Sequence, residues 1–458
     1  MPLKKGTHFE ISERKVLLRI IDVIVAWSCL YVVSLFDFFN YFTFYQSYAI
    51  NIVVLAFYIL SFGTVFEIYQ LRNAESRFTT AKNLLLTTFF TVAFYLFTPI
   101  LTPQLPENRL QILIFFIVIY FSIFIWRIAY IGLIASPRFY KRALLIGDDF
   151  NADSIKKELQ IFDPNYEVVG YFSQQPQIAK KCIEFDKNKL EKLLADYKIS
   201  EIVVTNSFRG VSTELQKLLL PLLQIGYPIK SYSHVYEELT NKVPVQHIGN
   251  DFYCYFPFSR NNQNKLYLLF LRSLDITVST LGLLSASLLL PFVLVGNLIA
   301  NRGPLFYSQK RIGKNGKAFK IIKLRSMIKN AEIYGAQWAT KNDMRITKFG
   351  KFLRKTRLDE IPQFINILKG DMSLIGPRPE RPEFVKELAK TIPFYEIRHV
   401  IKPGVTGWAQ VNAKYASSDA ETIEKLQYDL YYIKHRSAFI DFRIIVKTLS
   451  TVIFFRGQ

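Results

Sequence analysis

The chain has 458 residues, enough for two or three domains, and half of them are hydrophobic, including 40 Phe and 26 Tyr. Its mean hydropathy is positive, at +0.15, and its formal net charge is +21. Clustered apolar residues flanked by basic ones predict a membrane protein that contacts membrane lipid and phosphorylated ligands, with no nucleic acid as partner. The three cysteines lie far apart, which argues against a disulfide framework or a zinc site.

Four apolar stretches in the first third of the chain are each close to the about 20 residues that a membrane-spanning helix needs. They are Val16–Phe39, Tyr48–Tyr69, Leu84–Leu101 and Leu110–Ile134. Basic residues precede the first stretch, separate the second from the third and follow the fourth, so the positive-inside rule puts these segments in the cytosol. We expect a four-helix transmembrane domain over residues 1–138. We expect no cleavable signal peptide, because the first stretch is long and lacks a small-residue cleavage site.

Residues 139–260 follow the pattern of a soluble α/β domain. The segments "RALLIGDD", "YEVVGYF", "EIVVTNSF" and "YPIKSY" are typical of strands, whereas "SIKKELQIF" and "TELQKLLLPLLQIG" are typical of helices. Their alternation predicts a parallel, Rossmann-like sheet. Gly147 is followed by Asp148 and Asp149, and no Gly-x-Gly occurs in the chain, so the dinucleotide fingerprint is missing. A structural or regulatory domain is favoured over a working cofactor site.

A fifth apolar stretch, Leu266–Ala300, has basic flanks on both sides. Residues 301–330 contain nine Lys or Arg and no Asp or Glu. Both ends therefore belong in the cytosol, and Pro291, which breaks a helix, follows Leu290 near the middle. This predicts a re-entrant helix over 266–300 that dips into the membrane and returns. The alternative is a kinked full span, which would put the basic C-terminal part outside.

The segment "KFLRKTRLDEIPQF" holds two adjacent carboxylates, Asp359 and Glu360, directly after Arg354, Lys355 and Arg357. With Asp359 as the N-cap, the pair would lie at a helix N terminus, where the dipole favours ionised carboxylates and phosphate. Acids interleaved with cations suit a site where a magnesium ion meets a diphosphate, because magnesium is held by one or two carboxylates plus substrate phosphates. The alternative is an ordinary capped helix with surface ion pairs.

Three further segments offer residues of the types that bind phosphate or a base. Pro377 and Pro379 hold Arg378 in an extended backbone, which suits contact with a phosphate or a base. "KPGVTGWAQVN" is a glycine-rich loop that carries Gln410. "RGPLFYSQKRIGKNGKAFKIIKLRSM" combines glycines with basic residues, which suits either an anionic ligand or lipid head groups.

These segments together resemble the catalytic module of the bacterial sugar transferases. The matching stretches are "GPLFYSQKRIGKNGKAFKIIKLRSM", "LRKTRLDEIPQFINILKGDMSLIGPRPE" and "KPGVTGWAQVN", in that order. The resemblance runs from Lys265 to the C terminus, within an expected catalytic domain of residues 261–458, and the whole chain is similar to the long form of the family. It implies a polyprenol-phosphate hexose-1-phosphate transferase in the bacterial inner membrane, with its α-rich catalytic domain on the cytosolic face. A homodimer is also implied.

The family resemblance implies a two-step reaction, in which an aspartate attacks the β-phosphate of a UDP-hexose and undecaprenyl phosphate then attacks the covalent intermediate. The implied step is the first membrane step of capsule, exopolysaccharide or O-antigen synthesis. Asp359 matches the nucleophile and Glu360 the magnesium-associated acid. The remaining implied substrate-binding residues are Lys323, Arg325, Arg354, Pro377, Arg378, Pro379 and Gln410. The family helix often breaks at Ser-Pro, where this chain has Leu290-Pro291.

Two other classes of protein compete with a transferase. A membrane-bound nucleotide-sugar dehydratase would need an NAD fingerprint and a Tyr-x-x-x-Lys pair, and the chain has neither. A scaffold without enzymatic activity would not need the Asp359-Glu360 pair with Arg354 and Arg378. The sequence does not distinguish glucose, galactose or a modified hexose, although glucose and galactose lead.

Overall fold

The structure is a computed structural model of the chain. It describes residues 11–36, 38–42, 49–70, 74, 76–98, 101–106, 108–133, 141–147, 151–163, 166–172, 183–184, 194, 196–205, 213–245, 259–301, 303–329, 331, 343–413 and 419–453. The chain divides into two compact units, Met1–Thr240 and Asn241–Gln458. The three predicted domains, with boundaries after residues 138 and 260, stay a prediction.

The first unit begins with a group of apolar helices. These are α1 Ile11–Ser34, α2 Ala49–Val65, α3 Arg77–Leu96 and α4 Arg109–Leu133. Among the described residues, Glu13–Ser34 and Arg109–Leu133 in this unit are long and apolar enough to cross a membrane, as is Lys265–Asn301 in the second unit. Helix α2 is apolar but has only 17 residues. Helix α3 has a more polar composition, with several Thr residues beside Asn83 and Lys82. The structure thus supports the first and fourth predicted spans.

A buried ion pair joins helices α1 and α4. Arg127 donates two hydrogen bonds to Asp22, at 3.1 and 2.6 Å, and a third to the carbonyl of Ile68 at 3.0 Å. Neither charged side chain is more than 1% exposed. Charges this deeply buried need a partner, so the pair fixes the register of the two helices.

The rest of the first unit is built around a parallel sheet. Its strands are β1 Lys141–Gly147, β2 Tyr166–Phe172, β3 Ile183–Glu184, β4 Glu201–Thr205 and β5 Ile229–Ser231. All described pairings are parallel, and the strand order is β3-β2-β1-β4-β5. The accompanying helices are α5 Ala152–Phe162, α6 Thr213–Gln224 and α7 Tyr232–Thr240. Each strand and helix predicted for this region is present, and Asp148 and Asp149 lie outside the described residues.

The second unit combines a long apolar helix with small sheets and short helices. Its helices are α8 Lys265–Gly296, α9 Lys348–Lys355, α10 Gln363–Lys369, α11 Pro382–Thr391, α12 Trp408–Asn412, α13 Asp419–His435 and α14 Ala438–Ile453. Its strands are β6 Phe306–Ile312, β7 Ala318–Leu324, β8 Ser373–Ile375 and β9 Gly404–Thr406. Strands β6 and β7 form an antiparallel hairpin, and β8 pairs with β9 in parallel. Trp408, Leu426, Leu430 and Ile444 belong to the main core of this unit.

Both ends of helix α8 are tied to the rest of the second unit. Near its start, Arg272 donates to the last carbonyls of α10, those of Ile367 and Leu368, at 2.6 and 2.7 Å. Asp275 accepts hydrogen bonds from Ser373 and from the backbone of Leu374. A π-helical turn, Asn297–Asn301, follows the helix, and the Asn297 and Asn301 side chains donate to the carbonyls of Gly303 and Arg325. Pro291 lies inside the helix.

Candidate active site

Asp359 and Glu360 lie in a single 3-10 turn, Leu358–Glu360, and both are buried. The expectation that Asp359 is the N-cap of the following helix is wrong, because α10 begins at Gln363 with Pro362 as its N-cap. Pro362 has no backbone N–H to donate, and the chain tightens to i to i+3 hydrogen bonds on either side of it. The carboxylates are therefore presented by the turn before the helix.

The residue before this turn has an unusual backbone conformation. Arg357 adopts a left-handed conformation, with φ 60° and ψ 12°, which costs a residue other than glycine on the order of 1 kcal/mol. The conformation brings its side chain back to Glu360, 3.3 Å from Oε2. Strain of this kind persists where neighbouring contacts require it, and here it completes an ionic cluster.

Glu360 is the centre of that cluster and pairs with three cations. Its Oε1 accepts hydrogen bonds from Arg378 at 2.8 Å and Lys323 at 3.1 Å, and its Oε2 pairs with Arg357. Burial by itself would raise the pKa of Glu360, but Arg378, Lys323 and Arg357 together hold it well below its ordinary value. Burial lowers the pKa of Lys323, against the opposing effect of Glu360. Glu360 therefore stays ionised and fixes three cations around one point.

Asp359 lies beside this cluster, and its carboxylate differs from that of Glu360 in its hydrogen bonding and its pKa. In the part of the chain that the structure describes, its Oδ1 is buried and has no hydrogen-bond partner. Burial raises the pKa of Asp359 to about 6, and the charge of Glu360 adds to this, while Lys323, Arg354 and Arg378 oppose it. At neutral pH the carboxylate is mainly ionised, and one oxygen is free to react or to bind a ligand.

Arg354 is held near this carboxylate from the end of helix α9. Its Nε donates to the Ser326 hydroxyl at 2.9 Å. The helix lies close to the backbone at that point, since a Cβ added to Gly350 would lie 1.9 Å from the Ser326 carbonyl oxygen. Thr347 caps the helix by accepting a hydrogen bond from the Gly350 N–H. Close packing and capping therefore direct Arg354 toward the site.

Not all of the residues predicted for the site join the ionic cluster. Lys323 and Arg378 contact Glu360, and Arg378 extends from the loop between Pro377 and Pro379. Arg325 instead donates to the carbonyl of Asn301 at 3.0 Å. Gln410 donates to the carbonyl of Val405, and its buried Oε1 has no partner among the described residues. The roles assigned to these side chains stay predictions.

Two contributing residues were not among those singled out from the sequence. Ser326 orients Arg354, as described above. Asn366 joins α10 to strand β7, accepting from the Ile322 N–H at 3.0 Å and donating to the Lys320 carbonyl at 2.7 Å. An amide between apolar residues of a short helix is the signal in the sequence, and the structure shows that Asn366 is buried and fully used.

The donor set can be compared with what a magnesium ion needs. Among the described residues, no group of three or more His, Cys, Asp and Glu side chains could hold a metal by itself. Two adjacent carboxylates, one with a free oxygen, fit the usual magnesium arrangement, in which the substrate's phosphates complete the shell. Glu360 would have to exchange at least one of its cations for the ion, whereas Asp359 Oδ1 has none to exchange.

Comparisons with known proteins give the class of this site. The family described as "Bacterial sugar transferase" matches residues 266–455. An N-acetylgalactosaminephosphotransferase of Aeromonas hydrophila, named for UDP-N-acetylgalactosamine and undecaprenyl phosphate, is 35% identical over 63% of this chain and 67% of its own length. A galactosyl transferase of Streptococcus agalactiae is 32% identical over 67% of this chain and 71% of its own length.

The chain therefore belongs to the bacterial sugar transferase family, and the predictions that it is a member and a transferase enzyme are confirmed. A UDP-glucose:undecaprenyl-phosphate glucose-1-phosphate transferase of Escherichia coli is 41% identical over 39% of each chain. The alignment thus covers about two fifths of the length of each glucose-1-phosphate transferase that this chain matches.

Proposed function

We propose that this protein transfers a hexose-1-phosphate from a UDP-hexose to undecaprenyl phosphate, giving undecaprenyl-diphospho-hexose and UMP. The reaction runs through a covalent intermediate on Asp359. The names of relatives that act on undecaprenyl phosphate support the acceptor and the type of group transferred. The proposed place in the cell is the first membrane step of a surface polysaccharide, such as a capsule, an exopolysaccharide or an O-antigen.

The chemistry divides into two displacements at one phosphorus atom. In the first, an Asp359 carboxylate oxygen attacks the β-phosphorus, the bond from that phosphorus to the bridging oxygen breaks, and UMP leaves with the electron pair. In the second, a phosphate oxygen of undecaprenyl phosphate attacks the same phosphorus, and the Asp359 carboxylate leaves. Covalent catalysis lets a water-soluble donor and a lipid acceptor react in turn, without being bound together.

One observation carries this proposal, namely the contrast between the two adjacent carboxylates. Glu360 is neutralised by three cations, whereas Asp359 Oδ1 is buried and unpartnered among the described residues. A carboxylate freed from hydrogen bonds is a better nucleophile, because none must be broken before it attacks. The cations beside it lower the repulsion between this carboxylate and an incoming diphosphate.

The cations have separate proposed roles. Arg354 and Lys323 neutralise the donor's phosphates, and Arg378 lies near the uridine end of the donor. A magnesium ion, held by Glu360 and the donor's phosphates, would neutralise charge on the leaving UMP when bound. The protein's own contribution is to orient the donor so that its β-phosphorus meets Asp359 in line.

We also propose the re-entrant arrangement of α8, with the catalytic unit on the cytosolic face of the inner membrane. Support comes from the ties of both helix ends to one unit, through Arg272 and Asp275 at one end and Asn297 and Asn301 at the other. Apolar side chains between these ends, including Leu288 and Phe292, are largely exposed and suit hydrocarbon.

The parallel sheet of the first unit is proposed to be a Rossmann-like domain whose role is self-association in a homodimer. Its strand order, β3-β2-β1-β4-β5, agrees with that of doubly wound folds. The mass of the detergent-solubilised protein, measured by light scattering, would test this assignment, and a strictly monomeric protein would refute it.

The proposed reaction is tested by UMP release from purified protein. A panel of UDP-glucose, UDP-galactose and UDP-N-acetylgalactosamine is supplied with and without undecaprenyl phosphate. We expect stoichiometric UMP release without acceptor and repeated turnover with it, for one of the donors. If none of the three donors releases UMP, the proposed reaction is wrong for these hexoses, and if a wider panel with modified UDP-hexoses also fails, the proposed reaction is wrong.

A further inference from the structure

The loop that carries Arg378 is anchored through its backbone in an unusual way. Four consecutive carbonyls each accept a hydrogen bond from outside the loop. Pro377 accepts from the Gly404 N–H at 2.9 Å, and Arg378 accepts from the Arg398 guanidinium at 3.0 Å. Pro379 accepts from Arg311 at 3.3 Å, and Glu380 accepts from the Ile312 N–H at 2.9 Å. Two of these residues are prolines, which have no N–H to donate, so the loop is held mainly by hydrogen bonds to its carbonyls.

Arg398 is the donor that holds Arg378 itself, and its own side chain is fixed by buried partners. Its side chain is 7% exposed, and the same Nη2 that reaches Arg378 also pairs with Asp429 at 2.7 Å. Its Nη1 donates to the Tyr395 hydroxyl at 2.7 Å. Phe394, just before this 3-10 turn, adopts a left-handed backbone with φ 63°. Hydrogen bonds to one carboxylate, one hydroxyl and one carbonyl restrain the orientation of this buried guanidinium.

The two ends of Arg378 therefore face two different partners. Its guanidinium reaches Glu360 at 2.8 Å, while its carbonyl is held by Arg398. Arg398 has no hydrogen bond or ion pair to Asp359 or Glu360 among the described contacts, so its direct link to the site is the hydrogen bond to Arg378. When the backbone of Arg378 is anchored, its side chain has fewer conformations before it binds a ligand. Binding then costs less conformational entropy.

We propose that Arg398, oriented by Asp429, is a positioning residue that fixes Arg378 for the donor nucleotide. This inference rests on the proposed function, in which Arg378 contacts the uridine end of a UDP-sugar. Loss of Arg398 would weaken binding of the donor and leave the maximal rate of the first half-reaction much less affected, because Asp359, Lys323 and Arg354 stay in place.

The test uses UDP, which carries the uridine and diphosphate of the proposed donor and has no sugar-phosphate to transfer. Calorimetry on the full-length protein gives its Kd for wild type, Arg398→Met, Arg378→Ala and the double variant. We expect each single change to weaken UDP binding by roughly tenfold, the size of effect that losing one hydrogen bond to a charged group has. The double variant should be no more than about twofold weaker than Arg378→Ala alone, because the two residues act in series.

Three further variants separate positioning from general damage. Arg398→Lys keeps a charge that can reach the Arg378 carbonyl and should restore most of the affinity, and Asp429→Asn should behave like a weaker Arg398→Met. Arg436→Met is the matched control, since Arg436 is also buried but lies against Tyr267 and Tyr432. It should leave UDP affinity unchanged.

The outcomes are distinguishable. Independent effects, in which the losses from Arg398→Met and Arg378→Ala multiply, would overturn the inference, as would equal losses in Arg398→Met and Arg436→Met. A fall in the maximal rate of UMP release with an unchanged donor KM in Arg398→Met would also overturn it. A wild-type protein that binds UDP but releases no UMP from any donor would instead count against the proposed function.

Discussion

Replacing Glu360 by Gln should shift the pH dependence of the first half-reaction to lower pH. The attacking Asp359 must be ionised, and its pKa of about 6 places the acid limb of kcat/KM near that pH. After burial, the charge of Glu360 is the main cause that raises this pKa. The Gln variant removes that charge and also releases Lys323, Arg357 and Arg378 to act on Asp359.

The size of the shift follows from the charges. Two unit charges about 7 Å apart, at an effective dielectric constant of about 20, repel by roughly 2.4 kcal/mol, or about 1.7 pKa units. The pKa of Asp359 stands about two units above its ordinary value of 3.8, and burial, the larger cause, remains in the variant. We therefore expect the acid limb to move down by about one unit, although the rate at its plateau falls.

The assay is UMP release without acceptor, followed from pH 4.5 to 8 as kcat/KM for the donor, with folding checked at each pH. Lys323→Met provides a paired test of opposite sign, because Lys323 lowers the pKa of Asp359 and its removal should move the limb upward. A limb that stays in place in Glu360→Gln, or moves the same way in both variants, would refute the electrostatic account of the carboxylate pair.

Three further predictions concern other parts of the molecule. Arg357 lies 3.3 Å from an oxygen of Glu360 that a magnesium ion would share, so Arg357→Ala should lower the Mg²⁺ concentration that gives half-maximal thermal stabilisation; a higher requirement would contradict this competition. Arg127→Met leaves Asp22 buried without its partner, and about 3–5 kcal/mol of stability should be lost; a melting temperature in detergent equal to that of wild type would be contrary evidence. Arg260→Cys should resist a membrane-impermeant maleimide in intact cells and react in inverted vesicles; labelling from outside would refute the cytosolic placement of this flank.

Much of the fold was predictable because the signals are local. Alternating apolar strands and amphipathic helices indicated the parallel sheet that the structure shows. The second and third predicted spans stay predictions, because the helix at the second has 17 residues and several Thr residues interrupt the third. The clustering of apolar residues alone cannot distinguish a helix that spans the membrane from a helix that packs among other helices of the protein.

Several residues of the candidate site could be selected from the sequence, but their geometry could not be predicted. Asp359, Glu360 and Arg378 could be selected because an acid pair and a proline-flanked arginine are rare in purely structural segments. The 3-10 turn, the left-handed Arg357 and the Arg398 anchor depend on contacts between segments distant in sequence. Such contacts come from tertiary packing, which local propensity does not contain.

The most direct measurement of the central claim is capture of the covalent intermediate. Purified protein is mixed with a UDP-hexose labelled in the sugar, without acceptor, and the acid-precipitated protein is counted and mapped by mass spectrometry. Wild type should carry one labelled hexose phosphate per active site, on Asp359, and Asp359→Asn should carry none and release no UMP. If the Asn variant still forms the adduct, or turns over within about tenfold of wild type, a barrier change under about 1.4 kcal/mol, then Asp359 is not the nucleophile.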